Sequence, residues 1–212
     1  MLNQLDYQQL CHMLKGAIEI IRTNCDALSR LDAEVGDGDH GITMLRAMEK
    51  MGEVIDSDQH REISPLLNDI SWELMNIDGG ATGPLYGSLF FGMAEATTGK
   101  DALDCTAFAE MFTGGLTAIE NQTKARVGDK TLMDTLIPAV NAMCASAQQG
   151  GDLRAMLSAA CKAGWRGSEA TKDIPARFGR AKYQGDRTIG KPDPGSVSMA
   201  LVFQGFAAQL EA

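Results

Sequence analysis

The sequence predicts an all-α fold: one domain over residues 1–212, built as a bundle or closed barrel of eight antiparallel amphipathic helices. Three observations carry this reading. Apolar residues recur at spacings of three and four along most of the chain, strand signals are nearly absent, and the breaks between periodic segments are mostly short. Short connections cannot carry the chain to a distant element, so consecutive helices pack as antiparallel neighbours. With 212 residues of which 44% are hydrophobic, the chain can bury a sizeable core. No linker rich in Pro or Ser and no low-complexity tract divides it.

The first helix is expected from about Asp6 to Arg30, on the stripe Leu10, Met13, Leu14, Ala17, Ile18, Ile21, Cys25 and Leu28. The second fits Ile42 to Ile55 through Leu45, Met48 and Met51. Ser64-Pro65 reads as an N-cap and first helical position, with Leu66, Leu67, Ile70 and Leu74 behind it. Pro84 opens a fourth helix that runs to about Thr97 and stops at Gly99, and Phe108, Met111, Phe112, Leu116 and Ile119 mark a fifth. Thr131 and Asp134 have capping-box spacing before Leu136, Val140 and Met143. Leu153, Met156, Leu157, Ala160, Cys161 and Trp165 define the seventh helix, and Gly195 to Leu210 the eighth.

Composition removes several classes of function. A formal net charge of −9 repels polyanions, so nucleic acid is not expected as a partner. No run approaches the roughly 20 apolar residues of a membrane helix, and the first residues lack the pattern of a signal peptide, so a cytoplasmic protein without a membrane partner is expected. Cys11, Cys25, Cys105, Cys144 and Cys161 are odd in number and scattered, which argues against zinc and a disulfide framework and for reduced cysteines packed in the core.

Chemistry is sought where the helical pattern breaks and glycine gathers. Around Glu34 to Gly41, Asp32, Asp37 and Asp39 fall within eight positions, and three carboxylates on one turn repel one another unless a cation sits among them. An EF-hand fails in both registers. Counted from Asp37, Ile42 stands where glycine is needed and Met48 where the bidentate Glu belongs; counted from Asp32, those places hold Asp37 and Thr43. An all-oxygen set in so short a turn suits Mg²⁺, whose remaining ligands are commonly phosphate oxygens. In the second segment, Asp78 to Gly87, Gly79, Gly80 and Gly83 precede a helix start, which makes an anion cradle of backbone N–H groups. No P-loop signature occurs. The last segment, Phe178 to Gly195, carries Arg180, Lys182, Arg187 and Lys191 in an acidic protein, as a loop that receives an anion would.

These segments together resemble one family, the L subunit or nucleotide-binding domain of dihydroxyacetone kinases. The resemblance spans the chain and rests on G-D-G-D-H-G at 36–41, G-G-A-T-G-P-L-Y-G at 79–87, G-D-K-T at 128–131, G-R-A-K-Y at 179–183 and D-P-G at 193–195. It implies a closed barrel of eight antiparallel helices with ADP or ATP and two Mg²⁺ ions held by loops at one end. By position, Asp32, Asp37 and Asp39 would be the metal ligands. His40, Gly41, Ile42, Thr43, Gly80, Ala81, Thr82, Thr123, Leu132, Arg180, Asp193, Pro194 and Gly195 would line the nucleotide. Thr43, Thr82 and Thr123 stand where relatives often have Asn, Ser and Gly, and Leu132 where they have Met.

Phosphoryl transfer needs alignment and charge neutralisation rather than a covalent protein group, so Arg180 is the expected catalytic side chain beside the metal and the glycine cradle. No residue is left to capture a ketone. The resemblance implies a separate K subunit that holds dihydroxyacetone, or a related short ketose, on a histidine. It also leaves two modes open: ADP retained as a coenzyme and rephosphorylated by a phosphotransferase-system protein, towards which His40 after Asp39 leans, or freely exchanging ATP. A homodimer is left open. A non-catalytic helical metal-binding or scaffold protein would explain the periodicity and the acidic loop, but not the glycine cradle together with Arg180.

Overall fold

The structure is a computed structural model that describes residues 1–78 and 80–211. Among these, eight α-helices form: α1 Tyr7–Ala33, α2 His40–Ser57, α3 Ile63–Met75, α4 Thr82–Ala96, α5 Cys105–Gln122, α6 Met133–Gln148, α7 Leu153–Ala170 and α8 Pro194–Glu211. Each packs on its successor and α8 packs back on α1, so the ring closes into the antiparallel barrel that the short connections predict.

The predicted stripes are the buried faces. Leu10, Met13, Leu14, Ala17, Ile18, Ile21 and Leu28 of α1 all face the interior, whereas Cys25 at the end of the stripe is only half-buried. Phe112 of α5 meets Phe203 and Phe206 of α8 at ring-centroid distances of 5.6 and 6.0 Å. Helices α5 and α8 are not neighbours in the ring, so these rings fill its centre. Phe112 and Phe206 meet edge to face, an arrangement that adds ~0.5–1.5 kcal/mol beyond the burial of their area. None of the five cysteines forms a disulfide among the described residues, and all are half-buried, which places them at the edge of the core rather than within it. No helix among the described residues is long and apolar enough to cross a membrane.

Local signals hold with shifts. Asp6, Asp104 and Asp152 accept from the N–H three residues on and cap α1, α5 and α7. Ser64 is not a cap: α3 begins one residue before it at Ile63, and Pro65 takes the third position, where its missing N–H still has no intrahelical acceptor to lose. Pro84 holds the same third position in α4. Thr131 and Asp134 do pair, but as the residue before the N-cap and the second helical residue, not as N-cap and N3. The Asp134 carboxylate accepts from Thr131 N–H at 2.7 Å, Thr131 Oγ1 accepts from Met133 N–H at 3.2 Å, and Leu132 is the cap residue. An unforeseen two-stranded ribbon, β1 Gln4–Asp6 with β2 Ala102–Asp104, joins the starts of α1 and α5. Three-residue strands are too short to show alternation.

Candidate functional site

Antiparallel order brings the starts of α2, α4, α6 and α8 to one end of the barrel, where the loops before them enclose a cleft of about 330 Å³. The N-cap residues of α2, α4 and α6, unlike those of α1, α5 and α7, use no side chain of their own as a cap; Asp32 accepts from the first N–H of α2 and Thr131 Oγ1 from the first N–H of α6, and the start of α4 has no side-chain acceptor. The open start of α4 and the positive ends of the helix dipoles make this end receptive to anions.

The loop between α1 and α2 supplies the carboxylates. Asp32 lies in the last turn of α1, and its side chain accepts from His40 N–H at 3.3 Å. Gly38 turns the chain with φ of +79°, and Gly36 passes so close that a methyl group there would press to 2.5 Å on Asp32 Oδ1. One ligand oxygen from each of Asp32, Asp37 and Asp39 lies within 4.8 Å of the others. Octahedral Mg²⁺ with bonds of about 2.1 Å sets oxygen separations of roughly 3–4 Å, so small side-chain rotations close this set on the ion. The oxygen donors, their shared charge and their opening to the cleft fit a hard divalent cation.

Opposite lies the glycine segment. Gly80 adopts φ of +57° with open space where a side chain would project, and Ala81 and Thr82 lead into α4. Gly79, expected in the same cradle, lies outside the described residues. Tyr86, a turn further along the cleft wall, keeps a buried hydroxyl that lies beside Ser198 but has no well-formed hydrogen bond. Thr123 and Leu132 complete this wall, and Leu132 offers an apolar side chain at the start of α6.

The connection from α7 to α8 covers the cleft. Two 3-10 segments, Thr171–Asp173 and Ala181–Thr188, lie in it. Arg180, just before the second, forms ion pairs with Asp37 and with Asp39, the latter at 3.5 Å. Of the other basic residues there, Lys191 pairs with Glu34 at 2.5 Å and Lys182 stacks on Tyr183. Asp193 caps α8 by accepting from Ser196 N–H at 2.6 Å, with Pro194 and Gly195 following on the cleft wall. Burial, opposed by the Ser196 N–H and reinforced by Asp134, pushes the Asp193 carboxyl up to about 7.

Of the residues the sequence singles out, the structure gathers Asp32, Asp37, Asp39, His40, Thr43, Gly80, Ala81, Thr82, Thr123, Leu132, Arg180, Asp193, Pro194 and Gly195 around this one cleft. Gly41 and Ile42 are not on its wall. Gly41 is a packing glycine, because a methyl group there would collide with the Cys25 carbonyl of α1, and Ile42 is 56% exposed. The His40 imidazole bonds Ser198 Oγ at 3.0 Å, and burial holds it below its ordinary pKa against the pull of Asp32 and Asp39. Sequence reasoning missed Lys130, which is buried at 2% exposure, and the buried Asp134 that binds the loop before α6. Lys130 sits in the polar G-D-K-T stretch, whose composition reads as surface, so only the broken periodicity there signalled it; Asp134, three residues beyond Thr131, was signalled only as half of a capping box.

Comparison with known proteins gives the family and the fold. Residues 34–208 match the DAK2 domain. The chain is 33% identical over 200 residues to the ADP-binding subunit DhaL of the PEP-dependent dihydroxyacetone kinase of Escherichia coli, covering 94% of this chain and 95% of that protein. It is 35% identical to the DhaL subunit of the PTS-dependent dihydroxyacetone kinase of Lactococcus lactis, over 88% of each. The crystal structure of the C. freundii dihydroxyacetone kinase in complex with AMP-PNP and Mg²⁺ superposes with a TM-score of 0.73 at 24% identity, covering 98% of this chain and 35% of that one, which shows a shared fold. Both subunits belong to phosphotransferases, and a domain match over most of the chain makes this protein a member of the DAK2 domain family.

Proposed function

We propose that this chain is the ADP- or ATP-binding subunit of a dihydroxyacetone (or related short-ketose) kinase, and that it passes a phosphoryl group to a ketose held on a separate K subunit. The observation that carries this reading is the pairing of the Asp32, Asp37 and Asp39 cluster with the open start of α4 and Arg180 across one cleft. The names of the DhaL relatives support both the nucleotide and the ketose.

In this reading Asp32, Asp37 and Asp39 hold Mg²⁺, two ions by the family resemblance, and the metal neutralises phosphate charge when bound. Gly80 to Thr82 and the start of α4 present N–H groups to phosphate oxygens, and Leu132 packs the base. Arg180 leaves the aspartates to fork onto phosphate, where a guanidinium stabilises charge in transfer. His40 is engaged with Ser198 and orients the loop rather than attacking substrate.

The phosphotransferase-system wording of the relatives' names favours ADP retained as a coenzyme and recharged by a phosphotransferase-system donor, in a cytoplasmic setting. Mass spectrometry of the supernatant of denatured, purified protein tests it. ADP in about equal amount to protein is the expected result. Protein that emerges empty but binds Mg-ATP would support the exchanging mode, and failure to bind either nucleotide would overturn the assignment.

A further inference from the structure

Lys130 is the largest buried cation of the fold's described residues, yet it does not end on a carboxylate. Its Nζ donates to the carbonyls of Thr171 at 2.6 Å, Thr188 at 2.8 Å and Lys191 at 2.5 Å, which uses all three of its protons. These acceptors mark the beginning, the late middle and the end of the connection between α7 and α8. The same connection is stitched at other points: Gly190 N–H donates to the Lys172 carbonyl at 2.7 Å, Ala176 N–H to Thr188 Oγ1 at 3.0 Å, and Arg177 N–H to the Asp129 carbonyl at 3.1 Å. Lys130 also holds φ of +62°, a left-handed backbone that costs a non-glycine residue energy and persists where surrounding structure over-determines it.

The geometry points to Lys130 as a positioning residue that clamps the connection spanning residues 171–193 and thereby sets Arg180 over the aspartate cluster. Three carbonyls converging in a buried spot have no substitute donor, so removal of the ammonium releases the strap. Arg180, which hangs from its middle, then loses its fixed approach to Asp37 and Asp39. A polar loop residue that had only to turn the chain at φ of +62° would be better as glycine; the side chain is the reason for lysine.

The test compares Lys130→Met, Lys130→Gly and Lys130→Arg with the wild-type protein. Without nucleotide, trypsin should cut the strap at Arg177, Arg180 or Lys182 about tenfold or more faster in the Met and Gly variants. Lys130→Arg, which keeps the charge and offers five donors, should remain close to wild type. Lys130→Gly relieves the backbone, so it keeps the test valid if Lys130→Met does not fold. A Gly variant as resistant as wild type would overturn the clamp. The second arm rests on the proposed function. Lys130→Gly should weaken Mg-ADP binding about as much as Arg180→Ala, and the double variant should be no weaker than Arg180→Ala alone. Additive losses would show that Lys130 does not act through Arg180. A wild-type protein that bound no nucleotide would defeat the functional reading and leave the proteolysis result standing.

Discussion

Arg180 and Asp39 lie 141 positions apart in sequence, and their side chains meet at 3.5 Å above the cleft. Asp37 shares the same guanidinium. The contact joins the two loops that carry opposite charge, and it shows the acidic turn already drawing a cation from within the chain.

Replacement of Asp37 or Asp39 by Ala should abolish Mg-dependent nucleotide binding while leaving helical content unchanged, because both side chains are about half-exposed and hold no core contact. Titration calorimetry paired with circular dichroism measures both halves. Wild-type affinity in either variant would remove these carboxylates from the metal site.

Arg180→Ala should weaken binding by about 10–100-fold, the usual worth of charge-assisted hydrogen bonds, and Arg180→Lys should restore only part of it. An ammonium carries the charge but cannot make two parallel bonds. Complete rescue by Lys would show that charge alone matters at this position.

Asp193 gives stability an unusual pH slope. Its carboxyl titrates at about 7 in the fold and near 4 in an unfolded chain, so the folded protein binds the extra proton between those values. Stability from this group is complete below about pH 4 and is lost as pH rises towards 7. Asp193→Asn keeps an oxygen for Ser196 N–H and removes the titration. Denaturant unfolding at pH 5, 6 and 7 should show the wild type losing on the order of 1 kcal/mol or more relative to the variant across that range. Parallel curves would refute the assignment.

The isolated chain should not phosphorylate dihydroxyacetone with Mg-ATP at a useful rate, since the groups assigned at the cleft serve metal, phosphate and base and none of them is assigned to a ketose. Turnover should begin on addition of the ketose-binding subunit and should slow as salt rises, because Lys182 and Arg187 present positive charge near the cleft. A coupled assay with and without the partner, at two salt concentrations, decides it.

Why the ring and the acidic turn were legible, and the clamp was not, follows from how each is encoded. The α1 stripe from Leu10 to Leu28 repeats with the helix period, and Asp32, Asp37 and Asp39 are local in sequence, so pattern and spacing expose both. Ser64 failed as a cap because α3 starts at Ile63, within the one-to-two-residue uncertainty of any helix end. Lys130 could not be read at all: its three acceptors are backbone carbonyls 41 to 61 residues away, and a carbonyl belongs to every residue type. Ile42 and Gly41 show the converse limit. They stand beside cleft residues in sequence, but on a helix adjacent positions point about 100° apart, so one faces solvent and the other faces α1.

At one end of the barrel aspartates cap the starts of α1, α5 and α7, whereas at the cleft end α4 starts with no side chain to close it. Under the proposed function a phosphate seated there would supply acceptors for the N–H groups of this start, so ligand and fold would share a single thermodynamic account. At a free concentration 100 times its dissociation constant, such a ligand adds about 2.7 kcal/mol to the free energy of unfolding. Under that reading, occupancy of the cleft adds a stability that the empty protein lacks.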